Sequence, residues 1–254
     1  MEAVVNRDRA VVACGLAAIS ALAWAYLVYD ARHMSCASMM SAAVQLHSWR
    51  IGDVGLLFLM WAIMMVAMMV PSVSPMVLTF AMVNRKRREE ERPFVPTGLF
   101  LFGYLAAWTG FSLLATIAQW GLHTAALLSP MMVMTSPVLG AALLIAAGIF
   151  QWTPLKRACL VHCRSPLGFI MTEWREGTWG AFVMGLRHGG YCVGCCWFLM
   201  GLLFVAGVMN LVWVAAISAL VLAEKVTPPR YRVSWVAGGL LVGSGAWIGL
   251  GLLR

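Results

Sequence analysis

The densest concentration of reactive side chains in this 254-residue chain is the run Arg187, His188, Gly189, Gly190, Tyr191, Cys192, Val193, Gly194, Cys195 and Cys196, set inside an otherwise apolar stretch. Ionisable groups at membrane depth are costly to hold and therefore mark function. On a helix, His188, Cys192, Cys195 and Cys196 share an arc of about 100°, with Met184 on the same side. A straight helix still separates His188 from Cys195 by about 10 Å along its axis, too far for one ion. Unwinding at Gly189 and Gly190 would gather the four. It would also leave Cys192 and Cys195 near the start of a new helix, where the helix dipole and Arg187 stabilise thiolate, the form that a soft metal needs.

A second cluster, Cys159, His162 and Cys163, follows Pro154 with C-x-x-H-C spacing in a segment read as a cytoplasmic connection. The two clusters build one site or relay an ion between two; spacing leaves both open. Sulfur and imidazole favour monovalent copper, with zinc as second choice, and carboxylate sites for hard cations are missing from both clusters. Methionine tips the choice toward copper. Met60, Met64, Met65, Met68, Met69 and Met76 crowd the second apolar segment. His33, Met34, Cys36, Met39, Met40, His47, His123, Met131, Met132 and Met134 lie on the side read as outer, where they could capture an ion.

Plainer roles suit several residues. Cys14 reads as a structural cysteine, the methionines of the second segment as gap fillers, and His47 and His123 as interfacial groups. Glu224 beside Lys225 reads as a boundary charge pair, and Arg85 to Arg92 as a solvated loop. Seven cysteines cannot all pair with one another, which argues against a secreted disulfide scaffold.

The elements that position these groups follow from composition. Hydrophobic residues make up 62% of the chain and charged residues 11%, too apolar a balance for a water-facing surface. The expectation is an all-α, polytopic transmembrane bundle forming one domain over residues 1–254, with the lipid bilayer as its solvent. About seven crossings are predicted, near 10 to 29, 53 to 83, 95 to 120, 134 to 152, 178 to 209, 210 to 224 and 233 to 253. With the N-terminus cytoplasmic, the outer segments hold only Arg32, Arg50 and Arg254 of the 18 Lys and Arg residues, which satisfies the positive-inside bias. That placement accounts for the net charge of +8 without nucleic acid. Residues 1 to 29 read as a span, because their apolar run exceeds a signal-peptide core.

Segments 53 to 83 and 178 to 209 are too long for plain rods and are predicted to break near Pro71/Pro75 and Gly189/Gly190. Breaks at matching places in two halves would resemble an inverted-repeat transporter with a midplane site. No hydrolase triad, phosphate loop or dinucleotide fingerprint is present, and enzymatic activity is not expected.

Four pieces together resemble an uncharacterised bacterial family of predicted metal-binding integral membrane proteins, a numbered domain of unknown function. They are MWAIMMVAMMVPSVSP at 60 to 75, TPLKRACLVHCRSP at 153 to 166, GLRHGGYCVGCCWFLM at 185 to 200, and GVMNLVWV followed by Glu224 and Lys225. The resemblance covers most of the chain. It implies a multi-pass protein of the bacterial inner membrane with a metal site carried by Cys159, His162, Cys163, His188, Cys192, Cys195 and Cys196. Copper transport, delivery, or support of a membrane metalloenzyme is the leading functional expectation. The alternatives are an accessory subunit of a larger membrane complex, perforce a hetero-oligomer, and a dithiol redox protein using Cys192 and Cys195.

Overall fold

In the computed structural model, residues 2–41, 51–90, 95–129 and 132–252 are described. His47, Met131, Arg50, Arg92 and Arg254, and the side chains of Met34, Cys36, Met39 and Met40, lie outside the described residues. The helices are α1 (Glu2–Ser41), α2 (Ile51–Glu89), α3 (Thr97–Thr124), α4 (Pro137–Phe150), α5 (Pro154–Arg164), α6 (Pro166–Glu173), α7 (Gly177–Gly201), α8 (Leu203–Ala206), α9 (Leu211–Val226) and α10 (Val233–Gly251). Among the described residues the only β feature is an isolated bridge between Leu128 and Met134. The all-α expectation therefore holds.

Five stretches are long and apolar enough to cross a membrane: Arg9–His33, Gly52–Arg87, Thr97–Thr124, Gly177–Ala206 and Val233–Gly251. A sixth arises only if α4 and α5, bent by 63° at their junction, count as one span. The expected crossing at 210 to 224 corresponds to α9, whose 16 residues reach about 24 Å, short of a hydrocarbon core of about 30 Å. The basic run from Arg85 is no loop at its start, because α2 continues to Glu89.

Neither expected break occurs. Helix α2 runs through Pro71 and Pro75, and α7 runs through Gly189 and Gly190. Pro71 has no N–H to give to the carbonyl of Ala67, and the indole Nε1 of Trp24 donates to that oxygen instead, at 3.1 Å. Side-chain hydroxyls serve other carbonyls of the same stretch: Ser72 donates to Met69, Ser74 to Val70, Thr79 to Pro75 and Ser218 of α9 to Met68. The Trp24 bond thus satisfies the carbonyl that Pro71 leaves without a donor.

The glycines of α7 serve packing instead of unwinding. A Cβ on Gly185 would lie 2.0 Å from the carbonyl oxygen of Phe100, and one on Gly103 would lie 2.1 Å from that of Phe182. On Gly189 it would meet the Ala107 Cβ at 2.6 Å. Gly185 and Gly189 thus face Gly103 and Ala107, two small-xxx-small pairs that let the α3 and α7 backbones touch. This is the most extensive helix contact in the fold, followed by α4 with α10, where Gly148 and Gly238 meet in the same way. With the breaks gone, the inverted-repeat reading loses its structural motive.

The α3–α7 contact carries a matched test. Gly185→Ala drives a methyl into backbone and is expected to lower thermal stability in detergent by about 1–3 kcal/mol. Gly190→Ala, with nothing within 4 Å of the added carbon, is expected to leave the unfolding midpoint unchanged or slightly raised. Equal midpoints for the two variants would refute the close-packing role.

Candidate metal centre

Helix α7 carries His188, Cys192, Cys195 and Cys196 toward the core, and all four are buried. Helix α5 carries Cys159, His162 and Cys163. It begins cleanly because Thr153 caps it, its Oγ1 accepting from Lys156 N at 3.3 Å, with Pro154 at the first helical position. The C-x-x-H-C segment is therefore a helix, where the sequence suggested a connection. The bend after α4 lays it against α7. Gly194 makes room for this approach, since a Cβ there would stand 2.9 Å from Cys159 Sγ.

The result is one cluster drawn from both motifs. Cys163, one turn beyond Cys159 on α5, is buried in the same core as Cys192, Cys195 and Cys196 of α7. Cys195 and Cys196 also donate to the main-chain oxygen of Cys192, at 3.1 and 2.8 Å. Unwinding is not what gathers the sulfurs. A second helix supplies what one straight helix cannot.

The charged group beside the cluster is Lys225 of α9. Its Nζ donates to Cys192 Sγ at 2.9 Å and to Ser72 Oγ at 2.8 Å, and the Tyr104 hydroxyl lies 3.1 Å from the same sulfur. Arg187, expected to fill that role, is exposed and pairs with Glu173 instead. Glu224 does not pair with its neighbour either. It turns to α5, where Lys156 Nζ meets its Oε2 at 2.6 Å with both side chains 1% exposed, and Arg164 Nε donates to its main-chain oxygen at 2.5 Å. Adjacent helical residues point in different directions, so Glu224 holds α5 while Lys225 reaches α7.

The two imidazoles are held among aromatic rings. His162 stacks on Tyr191, ring centroids 4.1 Å apart and nearly parallel, with Nδ1 at 2.9 Å from Ala158 O. His188 is enclosed by Phe100, Tyr104 and Phe169, and its buried Nδ1 has no hydrogen-bond partner. Among the described residues no three His, Cys, Asp or Glu side chains converge in ligating geometry as they stand. The donor chemistry nonetheless suits a soft ion: four buried thiols, no carboxylate among them, and an unpartnered imidazole nitrogen nearby. The methionines of α2 named above are all buried in the core, consistent with packing.

Sequence reasoning missed Lys225, Tyr104, Ser72 and Lys156. The available signal was the presence of Glu224 and Lys225 at the end of an otherwise apolar helix, since a charge at such a place needs a partner.

These features define an all-helical protein with several helices apolar enough for a membrane and a thiol-rich core. Residues 58–248 match the model of the PpoB2 copper chaperone family, and the chain belongs to that family. Membership connects it to copper and narrows the resemblance to metal-binding proteins drawn from its motifs. Neither the curated proteins nor the solved structures compared with it contain a match.

The Lys156–Glu224 pair yields a stability test. Removing one partner strands a buried charge, so Lys156→Met is expected to cost about 3–5 kcal/mol, while Lys156→Met combined with Glu224→Leu recovers most of the loss. Thermal unfolding of the three variants in detergent measures it; additive losses would show that the two groups do not act as a pair.

Proposed function

We propose that this protein is a multi-pass component of the bacterial inner membrane that holds copper(I) as cargo and delivers it to a membrane metalloenzyme. The observation that carries the reading is the burial of Cys163 from α5 in one core with Cys192, Cys195 and Cys196 from α7, against which α5 packs. Membership of a copper chaperone family supports it. Cys159 borders the cluster, and His162 and His188 flank it as further ligands that a change of side-chain rotamer would bring in. More thiols than a single soft ion needs suit a carrier, because a spare sulfur can approach before another leaves and the ion is never stripped bare.

The dithiol alternative has less support. Cys192 and Cys195 are each no more than 1% exposed, and exchange with a partner's disulfide requires access. Copper measured in protein purified from copper-supplied cells tests the proposal. The native chain is expected to retain copper and the Cys192→Ser/Cys195→Ser variant to fall to background; equal, negligible copper in both ends the idea.

The positive-inside bias supports a cytoplasmic N-terminus. Counting the bent pair α4–α5 and the short α9 as crossings beside the five long helices makes seven, which would put the C-terminus outside. A phosphatase fused after the last residue is expected to be active and a cytoplasm-dependent fluorescent protein dark. The opposite pattern would mean an even number of crossings, with either α9 or the α4–α5 pair not crossing.

A further inference from the structure

Helices α1 and α2 leave an open groove of about 400 Å³ beside their contact, lined by Arg9 of α1 and by one face of α2 from Pro71 to Met82. That face is built from two rows of side chains spaced four apart, Pro71, Pro75 and Thr79 in one and Ser74, Leu78 and Met82 in the other. From Pro71 to Met82 the helix rises about 16 Å, close to half of a hydrocarbon core of about 30 Å and so to the depth of one leaflet. The wall is apolar toward anything that enters, because the Ser74 and Thr79 hydroxyls donate to the main-chain oxygens of Val70 and Pro75, at 2.8 and 2.7 Å.

The groove has a charged end. Arg9 lies as many residues before Trp24 as Met82 lies after Ala67, and the Trp24–Ala67 bond joins these antiparallel helices, so Arg9 and Met82 stand at one level. That level is where the first long apolar stretch, Arg9–His33, begins and where the second, Gly52–Arg87, nears its end. Arg9 is exposed, and no carboxylate is among the residues that line the groove. An apolar channel one leaflet deep, ending at a cation, is complementary to a molecule with an acyl chain and an anionic head.

We propose that this groove is a binding site for one anionic phospholipid of the cytoplasmic leaflet, with its phosphate on Arg9 and an acyl chain along Pro71 to Met82. The inference rests on the membrane reading above and is independent of copper. A guanidinium can give two parallel hydrogen bonds to a phosphate, and its stem lies readily along apolar surface while the charge stays at headgroup level. Basic side chains at the cytoplasmic surface attract anionic lipid in particular.

Native mass spectrometry of the full chain in detergent, titrated with phosphatidylglycerol or phosphatidylcholine of the same acyl chains, tests this. The native protein is expected to retain one phosphatidylglycerol with about five-fold preference, the worth of one basic contact at an anionic surface. Arg9→Gln, a change at an exposed side chain, should bring the two lipids level, and Arg9→Lys should keep the preference. Leu78→Trp, which fills the groove, should weaken retention of both lipids alike. Equal retention of the two lipids by the native chain, or a preference that survives Arg9→Gln, overturns the inference. Displacement of the lipid by glycerol phosphate alone overturns it too, since the acyl chain would then contribute nothing. A chain that stays dispersed in water without detergent overturns the membrane reading as well.

Discussion

An ammonium group held out of water must be matched by negative charge or by strong acceptors, and this requirement organises the centre of the molecule. Lys225 lies where α9, α2 and α7 meet, with Ser72 on one side and Cys192 on the other. One residue earlier, Glu224 extends toward α5 and Lys156. A single turn of α9 therefore fastens both helices that carry the thiols. Its partners also explain why these charges persist in a chain that is otherwise so poor in them: each is answered by a specific group, as burial in a low-dielectric medium demands.

The two walls of the cluster are built differently. Helix α7 is locked to α3 by backbone contact through Gly103, Gly185 and Gly189, where no side chain stands between the helices. Helix α5 follows a sharp bend and is held by polar contacts, the Lys156–Glu224 pair and the Arg164 bond to the Glu224 carbonyl. Dense apolar packing resists displacement because it has no intermediate geometry, whereas an ion pair has alternatives whenever another charge approaches. The sulfurs of α7 thus form the fixed side of the centre, and Cys163 of α5 the side that depends on electrostatics.

Much of this was readable in advance because it is local. Apolar stretches announced helices suited to lipid, and cysteine and histidine at helical spacing announced a centre on α7. What failed were inferences in which one residue type has two physical uses. Glycine permits unwinding, and it equally permits close approach. The spacing of Gly185 and Gly189, matched by Gly103 and Ala107, was the mark of the second use. Proline removes a donor, but the sequence does not say that Trp24 replaces it. Glu224 and Lys225 looked paired because they are neighbours in the chain, although neighbours on a helix face apart. The joining of the C-x-x-H-C segment to α7 depends on a bend of 63° that no local pattern encodes.

The indole of Trp24 gives α1 a fixed address on α2. Between two apolar helices, surface matching alone discriminates weakly among positions along the axis, because one row of methyl groups resembles the next. Here a single bond joins the one carbonyl that Pro71 deprives of its donor to the N–H of a half-buried indole. Sliding α1 by even one turn would break that bond and leave the Ala67 carbonyl without its donor. The proline that seems to weaken α2 therefore acts as a detent, setting the depth at which the first helix sits.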